Sequence, residues 1–153
     1  MNPQHDSGND DPGLARELDL MMQFLHLAPV GLLRVDRSGT IILMNPTGAQ
    51  LLALLGLGRE APGQLPNLFD LTDRVAPDVR TLVSLFSDDS GVVLDKYRVL
   101  LDKADPGGLP PGAPIALGIT ALKLPADPDS LMVVVSDESS TVRLQRLQSQ
   151  WLR

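Results

Sequence analysis

Few side chains in this sequence of 153 residues could do chemistry, and their spacing suits it poorly. His5 lies in a polar N-terminal stretch. His26 sits at the end of an amphipathic segment, where it could ligate a metal but reads as a capping or surface residue. With a single tyrosine, Tyr97, and a single tryptophan, Trp151, no triad can be assembled. Asp88-Asp89, and Asp127 with Asp129, are carboxylate pairs that could hold a cation or serve as acid and base. Neither has the ligand spacing and glycine of a calcium loop, and no apolar run places them inside a pocket, so they read as turn residues and helix-end charge. Gly56-Leu57-Gly58-Arg59-Glu60-Ala61 matches a loose dinucleotide fingerprint, but it follows a helical pattern and runs into Pro62-Gly63. That chemistry needs a strand before the glycines and a helix after them, so the segment reads as a loop. The chain has no cysteine, and therefore no thiol nucleophile, thiolate zinc site or disulfide. Neither a catalytic residue nor a metal site is expected, and the chain reads as no enzyme.

The elements that position these residues follow from composition and patterning. A chain of this length suits one domain with a real core. Hydrophobic residues are 43% of it and aromatics 3%, so the core is built from Leu, Val, Ile and Ala. Thirteen Lys and Arg against nineteen Asp and Glu give a net charge of −6, the wrong sign for a phosphate-backbone binder, which argues against nucleic acid. Met1 to Gly13 is rich in Asp, Asn, Gly and Pro and reads as a solvated tail. It has neither the basic start nor the apolar run of a signal peptide. No apolar run approaches the roughly 18 to 20 residues of a membrane helix, so no membrane contact by this segment and a cytoplasmic location are expected.

Leu14, Leu18, Met21, Met22 and Leu25 recur at helical spacing over Leu14 to Leu27, with Pro29 as the stop. Their stripe is either packed on the chain's own domain or, as favoured here, a dimer-forming cap. Val30 to Val35 and Thr40 to Met44 read as a hairpin about Asp36-Arg37-Ser38-Gly39, where Asp can bond the turn amides and Gly39 can take a positive φ. Asn45-Pro46 then starts a short helix to Leu55, an N-cap followed by a residue whose missing N–H costs nothing there, with Gly56 as its stop. Pro66 to Leu71 reads as one turn placing Leu68, Phe69 and Leu71 inward. Pro77 to Phe86 reads as a helix with Val79, Leu82, Val83 and Phe86 on one side. Three further strands are expected at Val92 to Leu101, Ile115 to Leu124 and Leu131 to Ser136, separated by turn-rich segments at Asp102 to Pro114 and Pro125 to Asp129. Leu131 to Val135 is apolar on both faces, which marks the last strand as central and asks for a cover that the first helix could supply. From Glu138 the chain reads as helix to Arg153, with Leu144, Leu147 and Trp151 beginning a heptad seam.

The run through Pro29, Gly31, Val35, Asp36, Gly39, Ile41 and Asn45 resembles the opening of a PAS domain, the sensory module of bacterial signal-transduction proteins. The closing Ser136-Asp137-Glu138-Ser139 resembles, with Glu138 and Ser139 replacing Ile and Thr, the Asp-Ile-Thr that often ends such domains. The resemblance implies an α+β fold, a PAS-like five-stranded antiparallel sheet with covering helices, over 28–137. A cap helix at 14–27 precedes it and an outgoing signalling helix starts at 138–153. It also implies an output domain downstream in the same chain, such as a histidine kinase or a diguanylate cyclase or phosphodiesterase acting on cyclic di-GMP. No cofactor can be assigned. The lack of cysteine excludes cysteinyl-flavin photochemistry, and the lack of histidine over Pro77 to Ser90, where haem-binding relatives carry their axial ligand, argues against a His-ligated haem.

These readings predict a cytoplasmic bacterial regulator that forms a homodimer through Leu14, Leu18, Met21, Met22, Leu25, Leu144, Leu147 and Trp151 and relays a signal through a hinge at Asp137. A small ligand would sit among Met44, Phe69, Leu82, Phe86, Tyr97, Leu117 and Ile119, with Tyr97 as the polar handle, although each of these reads first as plain core. Two alternatives stay open: a protein-interaction module without ligand, and a small-molecule enzyme on a related helix-covered sheet.

Overall fold

The computed structural model describes residues 12–101, 114 and 116–151. Residues 1–11 of the expected tail, nearly all of the 102–114 turn segment and the last two residues lie outside that set. The elements run α1 (Pro12–Leu27), β1 (Gly31–Asp36), β2 (Ile41–Met44), α2 (Pro46–Ala53), α3 (Leu68–Thr72), α4 (Asp78–Leu85), β3 (Gly91–Leu100), β4 (Ala116–Leu124), β5 (Asp127–Asp137) and α5 (Ser139–Trp151). The five strands form one antiparallel sheet in the order β2-β1-β5-β4-β3, so the last strand is central, as its two apolar faces require.

The first hairpin closes as its residue types dictate. Asp36 Oδ1 accepts the amides of Ser38 (2.9 Å) and Thr40 (3.0 Å) and the Ser38 hydroxyl (2.7 Å). Gly39 takes φ +95°, and a Cβ there would lie 2.5 Å from the Phe69 ring. The same turn is tied to the helical layer: the Leu68 amide donates to Gly39 O (2.8 Å), the Ile41 amide to Pro66 O (3.0 Å), and Asn67 Nδ2 to Ser38 O (2.9 Å). Asn45 caps α2 by accepting the Gly48 amide at 2.9 Å, with Pro46 at the first helical position. At the other end of α2 the Leu57 amide reaches back to Leu52 O (3.1 Å) and the Gly56 amide to Ala53 O (3.1 Å), the paired bonds of a glycine-terminated helix.

The core lies between the inner sheet face and α2, α3 and α4. Val35, Ile119, Leu117, Val133 and Val135 of the sheet meet Leu52, Leu68, Phe69 and Val79 of the helices, all of them buried. Along α4 Val79 is buried, while Leu82, expected on the same side, is 40% exposed. The helix is docked through Val79 and Val83, which turns Leu82 to solvent.

Strand β5 begins at Asp127, four residues ahead of the expected start at Leu131, and crosses Pro128. Asp127 pairs with Leu124 across the β4–β5 ladder, and two non-local ion pairs stand at this entry. Arg34 of β1 pairs with Asp127, and Arg37 of the hairpin turn pairs with Asp129 at 2.8 Å, which holds the entry of β5 beside β1. The two carboxylates thus diverge onto separate arginines instead of converging on a cation.

Two carboxyls in this region sit below their ordinary values, Asp36 chiefly through the Ser38 hydroxyl and Asp127 chiefly through the Ser130 hydroxyl and then Arg34. A carboxyl lowered in the folded state contributes stability above its unfolded pKa, and that contribution is lost as pH falls through the folded value. The thermal midpoint should therefore hold from neutral pH down to about pH 4 and decline below it. Asp127→Asn should flatten the decline in a series of melts at falling pH; an unchanged slope would remove Asp127 from the account.

Candidate functional site

Three places on this frame could carry function: a groove on the outer sheet face, a polar cleft at one end of the sheet, and the junction between β5 and α5.

The groove lies between α1 and the sheet. Met22, Leu25 and His26 face Leu32, Leu43, Met132 and Val134 across a space of about 470 Å³. Near the C-terminal end of α1, Asn45 Nδ2 donates to Leu25 O and Val30 O, both at 2.9 Å, and Thr47 Oγ1 donates to Ala28 O at 3.0 Å. No residue of α1 is buried. Leu14, Leu18, Met21, Met22 and Leu25 are all exposed, and so are Phe24 (74%) and Leu27 (80%), which the expected stripe did not include. The sheet's outer face therefore has α1 beside it without being covered by it.

The polar cleft, about 710 Å³, opens between α4 and the turns that join β1 to β2 and β4 to β5. Phe69 and Phe86 form apolar wall, each beneath a cation: the Arg80 guanidinium is 5.4 Å from the Phe69 ring centre and Lys123 Nζ is 5.3 Å from that of Phe86. Arg80 also bridges Asp70 (2.7 Å) and Asp73 (2.9 Å), and hydrogen bonding to Asp73 raises its pKa further.

The junction is compact. Asp137 Oδ1 accepts the Ser139 amide (3.0 Å) at the first turn of α5, and the Glu138 amide donates to Ala116 O (3.0 Å). Ser139, buried, accepts the Ala116 amide at 3.2 Å, while Glu138 Oε1 accepts the Ser136 hydroxyl at 2.8 Å. Glu138 lies across Gly118, where a Cβ would come within 2.8 Å of its Cγ. Further along, Arg98 of β3 donates to Gln145 of α5 (2.7 Å). Beyond Val142, which is buried, Leu144, Leu147 and Trp151 (86%) stand exposed.

The seven residues expected around one pocket are distributed differently. Phe69 and Phe86 meet at the polar cleft. Met44 is half-buried at the rim of the α1 groove. Leu117 and Ile119 are closed core, Tyr97 is half-buried against that core, and Leu82 is exposed. Arg37, Arg80 and Lys123 were not anticipated as lining residues, because each comes from a different segment and only the tertiary fold brings them together. In the Gly56–Ala61 loop, the Gly58 amide donates to Glu60 Oε2 (2.9 Å), so an amide that a phosphate would need is already engaged.

Together the antiparallel sheet, the hairpin leading into a capped helix and the covering helices make the α+β arrangement that the resemblance of the opening motif implied. Among solved structures it is similar to the PAS domain of an HTR-like protein from Haloarcula marismortui, with 17% identity, a TM-score of 0.46, and coverage of 80% of this chain and 98% of that one. No family model matches the chain, and no curated protein does. Among the described residues no helix is long and apolar enough to cross a membrane.

Proposed function

We propose that this chain is a sensory or regulatory domain that dimerises and passes a signal from its sheet to an output domain through α5, without catalysing a reaction itself. The observation that carries this reading is α1, a helix with no buried residue whose apolar side chains lie exposed next to the apolar outer face of the sheet. Leaving so much contiguous apolar surface in water is costly for a monomer, and a second copy that supplies a matching helix relieves it on both sides at once. The seam of Leu144, Leu147 and Trp151 on α5 extends the same argument to the other end of the domain. Asp137, Glu138 and Ser139 bind the start of α5 to both β4 and β5, so a change in sheet packing moves the helix with it.

Light scattering on the purified chain after size exclusion tests this directly. A dimer is expected, and Leu18→Glu with Phe24→Glu should return it to monomer with its circular dichroism unchanged, since both side chains are exposed in the single chain. A wild-type chain that stays monomeric well above micromolar concentration would overturn the reading.

A further inference from the structure

The charges around the polar cleft do not all cancel. Arg37 is paired with Asp129, and Arg80 with Asp70 and Asp73. Lys123, Asp88 and Asp89 line the same cleft and take part in none of the described ion pairs. Lys123 is half-buried, its Nζ stands over the Phe86 ring, and it lacks a carboxylate partner among the described residues. Asp88 and Asp89 are exposed at the rim.

We infer that this cleft binds a small zwitterion with an apolar side chain, of the α-amino-acid type, its carboxylate on Lys123, its ammonium toward Asp88 and Asp89, and its side chain on the Phe69 and Phe86 wall. One unpaired cation against two unpaired carboxylates rules against a phosphate or dicarboxylate, which the rim would repel. An amine without a carboxylate would leave Lys123 unpaired. A carboxylate without an amine would bring a net negative charge up to Asp88 and Asp89. A ligand carrying both charges satisfies all three groups, and about 710 Å³ is ample for a molecule of that size. The inference deepens the sensory reading by naming what is sensed, and it rests on that reading only for the consequence of binding.

The test is a titration of the isotopically labelled chain followed by amide chemical shifts, with L-phenylalanine and L-leucine as probes. The single-charge analogues 3-phenylpropanoate and 2-phenylethylamine serve as comparators. Either amino acid should shift the amides of Ser84, Ser87, Lys123 and Ser130 with a Kd on the order of 1 mM or tighter. Each single-charge analogue should bind about tenfold more weakly. Lys123→Gln, and separately Asp88→Asn with Asp89→Asn, should weaken the amino acids by about tenfold while leaving the rest of the spectrum in place. The proposal is overturned if neither amino acid shifts cleft amides at tens of millimolar, if Lys123→Gln binds as wild type does, or if an analogue equals its parent. A chain that dimerises but fails this titration sinks the zwitterion site alone; a monomer that binds the probes sinks the dimeric relay alone.

Discussion

Replacing Gly39 by alanine is expected to lower stability by about 3 kcal/mol, one of the two largest effects a single substitution should have on this domain. Two costs add. The residue sits at φ +95°, where any Cβ is strained, and that Cβ would lie 2.5 Å from Phe69 and 2.7 Å from Asn67 Oδ1. Neither neighbour has an easy retreat: Phe69 is buried in the core, and Asn67 Oδ1 caps α3 by accepting the amides of Phe69 and Asp70. For a domain of this size the expected drop in Tm is about 10 °C. A shift of only a degree or two would show that the hairpin turn can move away from α3 without disturbing the core.

Ile119→Ala is the second. Ile119 is fully buried between Tyr97 on β3 and Val135 on β5, so truncation should leave a cavity and cost about 2 to 5 kcal/mol. Urea unfolding should show a lower midpoint with an unchanged m-value. This variant also separates two readings of the inner sheet face. If Ile119 lined a ligand space, the ligand-free chain would tolerate the smaller side chain with little loss. A large loss shows that Ile119 is closed packing and lines no ligand space, whereas Phe86→Ala at the cleft should cost the fold far less because its ring is only half-buried.

What could be read from the sequence was local. The Asp36 to Gly39 turn, the Asn45-Pro46 cap and the inward Leu68, Phe69 and Leu71 each depend on residues a few positions apart, and each forms as the residue types imply. The central place of β5 was also legible, since five apolar residues in a row suit a strand paired on both edges inside the sheet better than one at its rim, although its outer face stays uncovered within the single chain. The early start of β5 was hidden, because it crosses a proline that argues against a strand and its neighbours Arg34 and Arg37 lie some ninety positions away. The cleft is hidden because its parts are distant in sequence: Phe69 and Phe86 read as inward apolar residues, but nothing local says that Arg80 and Lys123 lie above them. Leu82 lies one step around the helix from the side that docks, since helical spacing fixes which residues share a side and docking decides which side turns inward.

The link between β5 and α5 is one residue, Glu138, and both of its neighbours are hydrogen-bonded at the junction. A connection that short has no slack, so the azimuth of the helix is locked to the pleat of the central strand. One residue inserted after Ser139 would advance the seam of Leu144, Leu147 and Trp151 by about 100° around the helix axis, whereas seven would restore its phase to within about 20°. In the relay proposed above the junction is a rotational key, the sheet setting the angle at which α5 is presented.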